Sequence, residues 1–269
     1  MNSRHILPFL AAVSLLVFGE ASADGSLHGP NRISSTVLGY DLQYWVYLPQ
    51  GAEKPLPELY VTDGYAYLEA GGIVDVLERE FDDGRTLPFA VILVDSRDPD
   101  FPEKTRRNEE FMCDADYGRF YLRELLPEVA GRWTGADAAT ARGMMGVSFG
   151  GINGACFAMM LPGVFRLVIM NSPASGEHLD VVSALYRERP VNPSGFFVTY
   201  GGPRDNRAAA KRFVRVLEGK GYEVQVVATD GEHDWRQWRP LLDDGLRAFA
   251  RQLGERAEAK AGQADAPNE

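Results

Sequence analysis

Residues 143–155 read GMMGVSFGGINGA. An apolar run ends at Val147, a serine follows, and Gly146, Gly150 and Gly151 crowd it. Glycine is the residue that lets backbone turn sharply or approach backbone closely. Residues 146–150 fit G-x-S-x-G, the pattern of a serine held on a tight turn between a buried strand and a helix. The pattern alone is weak. Glycine fills 28 of 269 positions, and a glycine-rich turn needs no chemistry. Its surroundings are stronger: RGMMGV (142–147) reads as a strand and GGINGACFAMML (150–161) as a helix.

Outward from the serine, strand-length apolar runs alternate with helical patterns. Strands are expected at YWVYL (44–48), ELYV (58–61), FAVILV (89–94), FRLVIM (165–170), FFVTY (196–200) and EVQVVA (223–228). FAVILV has no polar residue, as suits a strand covered on both faces. Helices are expected over about 65–80, 117–130, 206–220 and 236–253. In the second, Phe120, Tyr121, Leu125 and Leu126 form an apolar stripe against Arg119, Arg123 and Glu124. This alternation predicts a mostly parallel central sheet with helices on both faces over residues 24–253; with Ser148 between a strand and a helix, that is the setting of an α/β-hydrolase fold. Residues 171–195 are left as a small lid, and the tail from Gly254, without an aromatic residue, is expected to be disordered.

A serine hydroxyl is a poor nucleophile until a base takes its proton. In this fold the base comes late in the chain, in the order Ser, acid, His. Only His178 and His233 follow Ser148. His178 lies in a polar loop, whereas His233 follows the last expected strand, where the base belongs. An acid should orient the imidazole. Asp205 follows FFVTY across Gly201-Gly202-Pro203-Arg204, with Asp230 the runner-up. Asp205 has a rival role as N-cap of the helix that begins nearby. Two preorganised amides complete such a site. Phe149, just after the serine, and Tyr65, in the Asp63-Gly64-Tyr65 segment after an earlier strand, are the candidates; Asp-Gly there has the plainer reading of a turn.

The net charge is −10, and loss of residues 1–23 removes Arg4 and Glu20 and leaves it unchanged. So acidic a chain does not suit nucleic acid, which needs basic surface to displace counterions. Arg4 and His5, the apolar ILPFLAAVSLLVF and Ala21-Ser22-Ala23 match a secretory signal peptide over 1–23, with no stop-transfer signal after it. A periplasmic or secreted protein without stable membrane insertion is expected. Cys113 and Cys156 do not make a disulfide framework, and both are read as free, with Cys156 a small hydrophobe in its helix. No metal or cofactor is expected, since CxxC, HExxH and clustered His/Asp patterns are missing. The oligomeric state is left open.

From about residue 40 to 252 the chain resembles the enterochelin (catecholate siderophore) esterase branch of the putative-esterase family of α/β-hydrolases. The resemblance rests on LYVTDGY, RNEEFMCDADY, YLRELLPEV, GVSFGGINGA, GGPRDNR and GEHDWRQW. It implies Ser148 as nucleophile, His233 as base, Asp205 as acid where relatives often carry Glu, and Tyr65 as an oxyanion amide. The spacing Arg107, Glu110, Cys113, Asp116 is its most distinctive piece, and it implies that Cys113 belongs to that pattern rather than to a special disulfide. Cytoplasmic members carry an additional N-terminal domain, for which this chain has no room, so the exported members are the expected match. A small-molecule ester, a bulky anionic tris-catecholate, is the implied substrate. Arg106 and Arg107, with Arg97 and Lys104 in the same loop, would meet its charge. Trp235, Trp238, Phe101 and Tyr65 would stack on its rings; the plainer reading is a solvated basic loop and core tryptophans. Within the same family, a feruloyl or acetyl esterase or an acyltransferase is the alternative, and a non-catalytic ligand-binding relative is the reading outside enzymology.

Overall fold

The computed structural model describes residues 25–84, 86–137 and 140–264, with backbone alone for 256–264. The expected signal peptide, residues 1–23, lies outside the described residues. One eight-stranded sheet runs through the molecule in the order β1-β2-β4-β3-β5-β6-β7-β8. Its strands are β1 (Ser26–Ser34), β2 (Asp41–Leu48), β3 (Glu58–Thr62), β4 (Ala90–Asp95), β5 (Arg142–Val147), β6 (Leu167–Asn171), β7 (Gly195–Tyr200) and β8 (Val224–Ala228). β1 pairs with β2 and β2 with β4 in antiparallel register; every later pairing is parallel. This is the mostly parallel sheet the alternating pattern predicts and the α/β-hydrolase architecture expected from the serine between strand and helix.

The helices are α1 (Gly64–Ala66), α2 (Ile73–Asp82), α3 (Arg107–Glu110), α4 (Ala115–Phe120), α5 (Leu126–Val129), α6 (Phe149–Met160), α7 (Gly176–Glu188), α8 (Arg207–Lys220), α9 (Trp235–Trp238) and α10 (Leu242–Ala264). Successive strand residues point to opposite faces, so each central strand feeds two cores. Tyr60, Ile92, Met144, Val168 and Val198 pack with α4, α6, α7 and α8 on one face. Leu59, Leu93, Met145, Ile169 and Phe197 pack with α2 and α10 on the other. β3, β4, β5, β6 and β7 are buried along their whole lengths, which is why their sequences read as unbroken apolar runs.

Four expectations change. Residues 171–195 are not a lid: α7 buries Leu179, Val182 and Tyr186 in the core. β1 was not expected, because an exposed edge strand carrying Gly29-Pro30 lacks an apolar pattern. The last helix does not stop at Gly254 but continues to Ala264, through an Ala-, Glu- and Lys-rich sequence of high helix propensity. Cys113 and Cys156 are not free. They form a disulfide with a Cα–Cα distance of 4.8 Å that ties the segment after α3 to α6. They lie 43 positions apart in sequence, and only the tertiary packing of that segment on α6 brings them together. Among the described residues, no helix is long and apolar enough to cross a membrane.

Candidate active site

Ser148 stands between β5 and α6 with φ 55° and ψ −121°, a backbone conformation L-residues rarely hold. The turn closes because its neighbours lack side chains. A Cβ on Gly146 would lie 2.3 Å from the carbonyl carbon of Gly150, and one on Gly150 would lie 2.4 Å from Thr62 Oγ1. The Ser148 amide donates to Asn171 O at 2.8 Å, which fixes the turn on β6. The glycines quoted at the outset are there for this elbow.

His233 lies in the loop between β8 and α9. Its Nε2 is 2.8 Å from Ser148 Oγ and its Nδ1 is 2.6 Å from Asp205 Oδ1. The carboxylate accepts from Nδ1–H, which leaves Nε2 to accept the serine hydroxyl. Trp238 packs edge-on against the imidazole, with centroids 4.9 Å apart. Asp205 ends the turn after β7 and is fully buried. It is not a helix cap, since Asn206 takes that position for α8. Burial alone would push its carboxyl up. Hydrogen bonds from His233, Ser172, the Gly201 amide and Gln237 outweigh that and hold it below the usual carboxylate range. Asp230, the runner-up, pairs with Arg207 instead, and the two acids flanking His233 are also engaged: Asp234 caps α9 and Glu232 pairs with Arg204.

Phe149 is the first residue of α6, and Tyr65 stands in the first turn of α1. Amides in these positions have no acceptor within their own helix. Asp63, at φ 56°, sets the start of α1. Burial pushes the Asp63 carboxyl up, and Arg107 opposes it. Arg107 Nε lies 2.8 and 2.9 Å from the two Asp63 oxygens, and its Nη2 donates to Val147 O at 3.4 Å. The arginine expected to meet substrate is therefore bound to the loop that carries Tyr65 and to the strand before Ser148.

The other residues named from sequence lie around this centre. Arg106 covers the Tyr40 ring at 4.0 Å. Trp235 packs against Tyr67 and Trp238, and Trp238 itself is buried, so the tryptophans serve the core under His233. Tyr65 is 40% exposed, and its ring carries the Arg97 guanidinium 3.6 Å from its centroid. A cavity of about 210 Å³ opens there, lined by Tyr65, Ala66, Arg97, Thr105 and Arg107 among others. His178 sits in the first turn of α7, its ring 4.8 Å from that of Phe149 and its Nδ1 2.8 Å from Ser175 Oγ, while Ser148 Oγ pairs with His233. Ser172 and Gln237 escaped the sequence reading. Ser172 follows β6 and Gln237 sits within GEHDWRQW, but a polar side chain that serves another side chain leaves no pattern of its own. Among the described residues, no cluster of His, Cys, Asp and Glu could hold a metal.

The family model for putative esterases matches residues 35–192. The iron(III) enterobactin esterase of Yersinia enterocolitica is 31% identical over 156 residues, which cover 56% of this chain and 42% of that protein. The enterobactin esterase of Shigella flexneri, solved with 2,3-dihydroxy-N-benzoyl-glycine, superposes with a TM-score of 0.71 at 22% identity over 85% of this chain and 60% of that one. A ferulic acid esterase superposes with a TM-score of 0.66 at 19% identity over 85% of this chain and 99% of that one. The chain thus spans less than two thirds of either enterobactin esterase, and nearly all of the ferulic acid esterase. With a family model covering more than half of its length and the fold those neighbours share, the chain belongs to the putative esterase family of α/β-hydrolase-fold ester hydrolases.

Proposed function

We propose that this chain is an exported serine esterase that hydrolyses carboxylic ester bonds of a catecholate siderophore. The observation that carries the mechanism is the hydrogen-bonded line Ser148 Oγ–His233 Nε2 and His233 Nδ1–Asp205 Oδ1, at 2.8 and 2.6 Å. Ser148 Oγ attacks the ester carbonyl carbon while its proton passes to His233 Nε2. The negative charge that develops on the carbonyl oxygen is met by the Phe149 and Tyr65 amides. Collapse of this intermediate breaks the ester C–O bond, and His233 returns the proton to the leaving alcohol. Water then attacks the acyl-serine with His233 again as base, releasing the carboxylic acid and restoring Ser148. Asp205 keeps its charge and stabilises the imidazolium.

The similarity to two enterobactin esterases supports the siderophore substrate. So does the exposed Tyr65 ring, which lines the cavity with the Arg97 guanidinium, itself paired with Asp95, stacked on it and offers a flat face to an aromatic ring. The disulfide supports export, since such bonds persist in oxidising compartments. The near-complete match in length to a ferulic acid esterase favours a second reading, a feruloyl-type carboxylesterase. Comparative hydrolysis of a cyclic tri-serine catecholate and methyl ferulate separates the two. A kcat/KM at least about tenfold higher for the catecholate is expected, with none in Ser148→Ala. Preference for methyl ferulate transfers the assignment to the second reading.

A further inference from the structure

Gln237 touches the parts around the acid without touching the imidazole. Its Nε2 donates to Asp205 Oδ2 at 2.6 Å and to Ser172 Oγ at 2.9 Å, and its Oε1 accepts from Thr229 Oγ1 at 2.9 Å. Ser172 donates to the same Asp205 oxygen at 2.6 Å, and the Gly201 amide donates to it as well. Oδ2 thus collects three donors, while Oδ1 is left to His233. Gln237 and Ser172 are both buried, so these bonds are not traded with water. A flipped Gln237 amide would set its oxygen against a carboxylate oxygen, so the amide has one tenable orientation.

The same side chain is wedged between two loops. A Cβ on Gly201, in the turn carrying Asp205, would lie 2.2 Å from Gln237 Oε1, and so would one on Gly231, in the loop carrying His233. The loops also join directly, the Gly202 amide donating to Gly231 O at 2.7 Å. A carboxyl turns easily about its last bond, with a broad two-fold preference. Left alone, either oxygen of Asp205 would face the histidine.

We infer that Gln237 and Ser172 are positioning residues for Asp205: together they hold Oδ2 so that Oδ1 alone meets His233 Nδ1, and Gln237 locks the acid loop to the base loop. The inference rests on the Ser148–His233–Asp205 reading above and adds to it two residues outside those three.

The test is the rate of fluorophosphonate labelling against pH, with kcat and KM on p-nitrophenyl acetate, for wild type, Gln237→Leu, Gln237→Glu and Ser172→Gly. Glycine is used at 172 because Ser172 has φ 49°. Gln237→Leu is expected to lose about 10–100-fold in labelling rate and kcat with KM changed less than about twofold, the loss typical of a hydrogen bond to a charged group. Ser172→Gly, which removes only a hydroxyl, is expected to fall in the same direction by a smaller factor. In Gln237→Glu a protonated carboxyl still donates to Asp205, and an ionised one repels it. That variant is therefore expected to gain an alkaline loss of activity that wild type lacks, which a purely structural role would not produce. Wild-type rates and profile in Gln237→Leu and Ser172→Gly, or no new limb in Gln237→Glu, overturn the inference while the catalytic reading stands. Failure to label wild type overturns both.

Discussion

Arg107 grips both carboxylate oxygens of Asp63, with Nε 2.8 and 2.9 Å away, and reaches Val147 O with Nη2. One guanidinium therefore spans the loop that presents the Tyr65 amide and the strand that presents Ser148. A role in orienting the oxyanion amide makes a kinetic prediction distinct from substrate binding. Arg107→Ala is expected to lower kcat by about 10²-fold, the effect of removing one oxyanion donor, with KM nearly unchanged. Arg107→Lys should recover little, because an ammonium cannot reproduce the fork. Steady-state kinetics decide it: a raised KM at constant kcat would put Arg107 on the substrate instead.

Asp205 gives a second prediction. In Asp205→Asn an amide can turn its NH₂ towards His233 Nδ1, favouring the tautomer whose Nε2 carries the proton and cannot accept from Ser148. A loss of about 10⁴-fold in kcat is expected at unchanged fold. Asp205 also ties stability to pH. Its folded carboxyl titrates below the unfolded value of about 3.9, so its contribution is complete above that value and vanishes as pH falls through the lower folded one. Acid unfolding of Asp205→Asn should show a correspondingly weaker pH dependence below about pH 4.

Glu110 behaves in the opposite sense. It is buried, Tyr40 Oη donates to its Oε1 at 2.8 Å, and burial pushes its carboxyl up to about 8. The unfolded chain ionises it near pH 4.5, so the folded state holds a proton that the unfolded state has lost. Stability from this group is complete below about pH 4.5 and drains as pH rises towards about 8, by at most about 1.4 kcal/mol per pH unit. Glu110→Gln keeps the acceptor for Tyr40 and should remove this slope. Urea melts between about pH 5 and 9 test it, and an identical slope in both proteins would contradict it.

The Cys113–Cys156 bond closes a loop across 43 positions of sequence. The chain-entropy relation gives about 4 kcal/mol for such a loop, an upper figure because strain and residual structure subtract from it. Cys156→Ser, or reduction of the wild type, should lower the melting temperature by on the order of 10 °C. Equal melting with and without reductant, alongside a mass showing two free thiols, would contradict the pairing.

The elbow was legible because it depends on local sequence. A buried strand, a serine among glycines and a helix are contiguous, and steric demand at Gly146 and Gly150 leaves no other residue possible. Asp205 and His233 were legible because each follows a strand whose apolar run marks its end. α7 was legible as well, since Leu179, Val182 and Tyr186 recur at helical spacing among Glu177, Asp180 and Glu188, and the reading of 171–195 as a lid passed that stripe over. The disulfide and the Asp63–Arg107 grip join segments 43 and 44 residues apart. No local pattern announces such pairs, and Arg107 reads equally well as a substrate ligand until its partner is seen.

The most direct test of the account is intact-protein and peptide mass spectrometry of the mature chain after reaction with a fluorophosphonate. A single adduct on Ser148, lost in His233→Ala, is the predicted result, because only a serine with a hydrogen-bonded base attacks such a probe at neutral pH. A folded wild-type protein that takes up no adduct would contradict the account, leaving GVSFG a tight turn without chemistry.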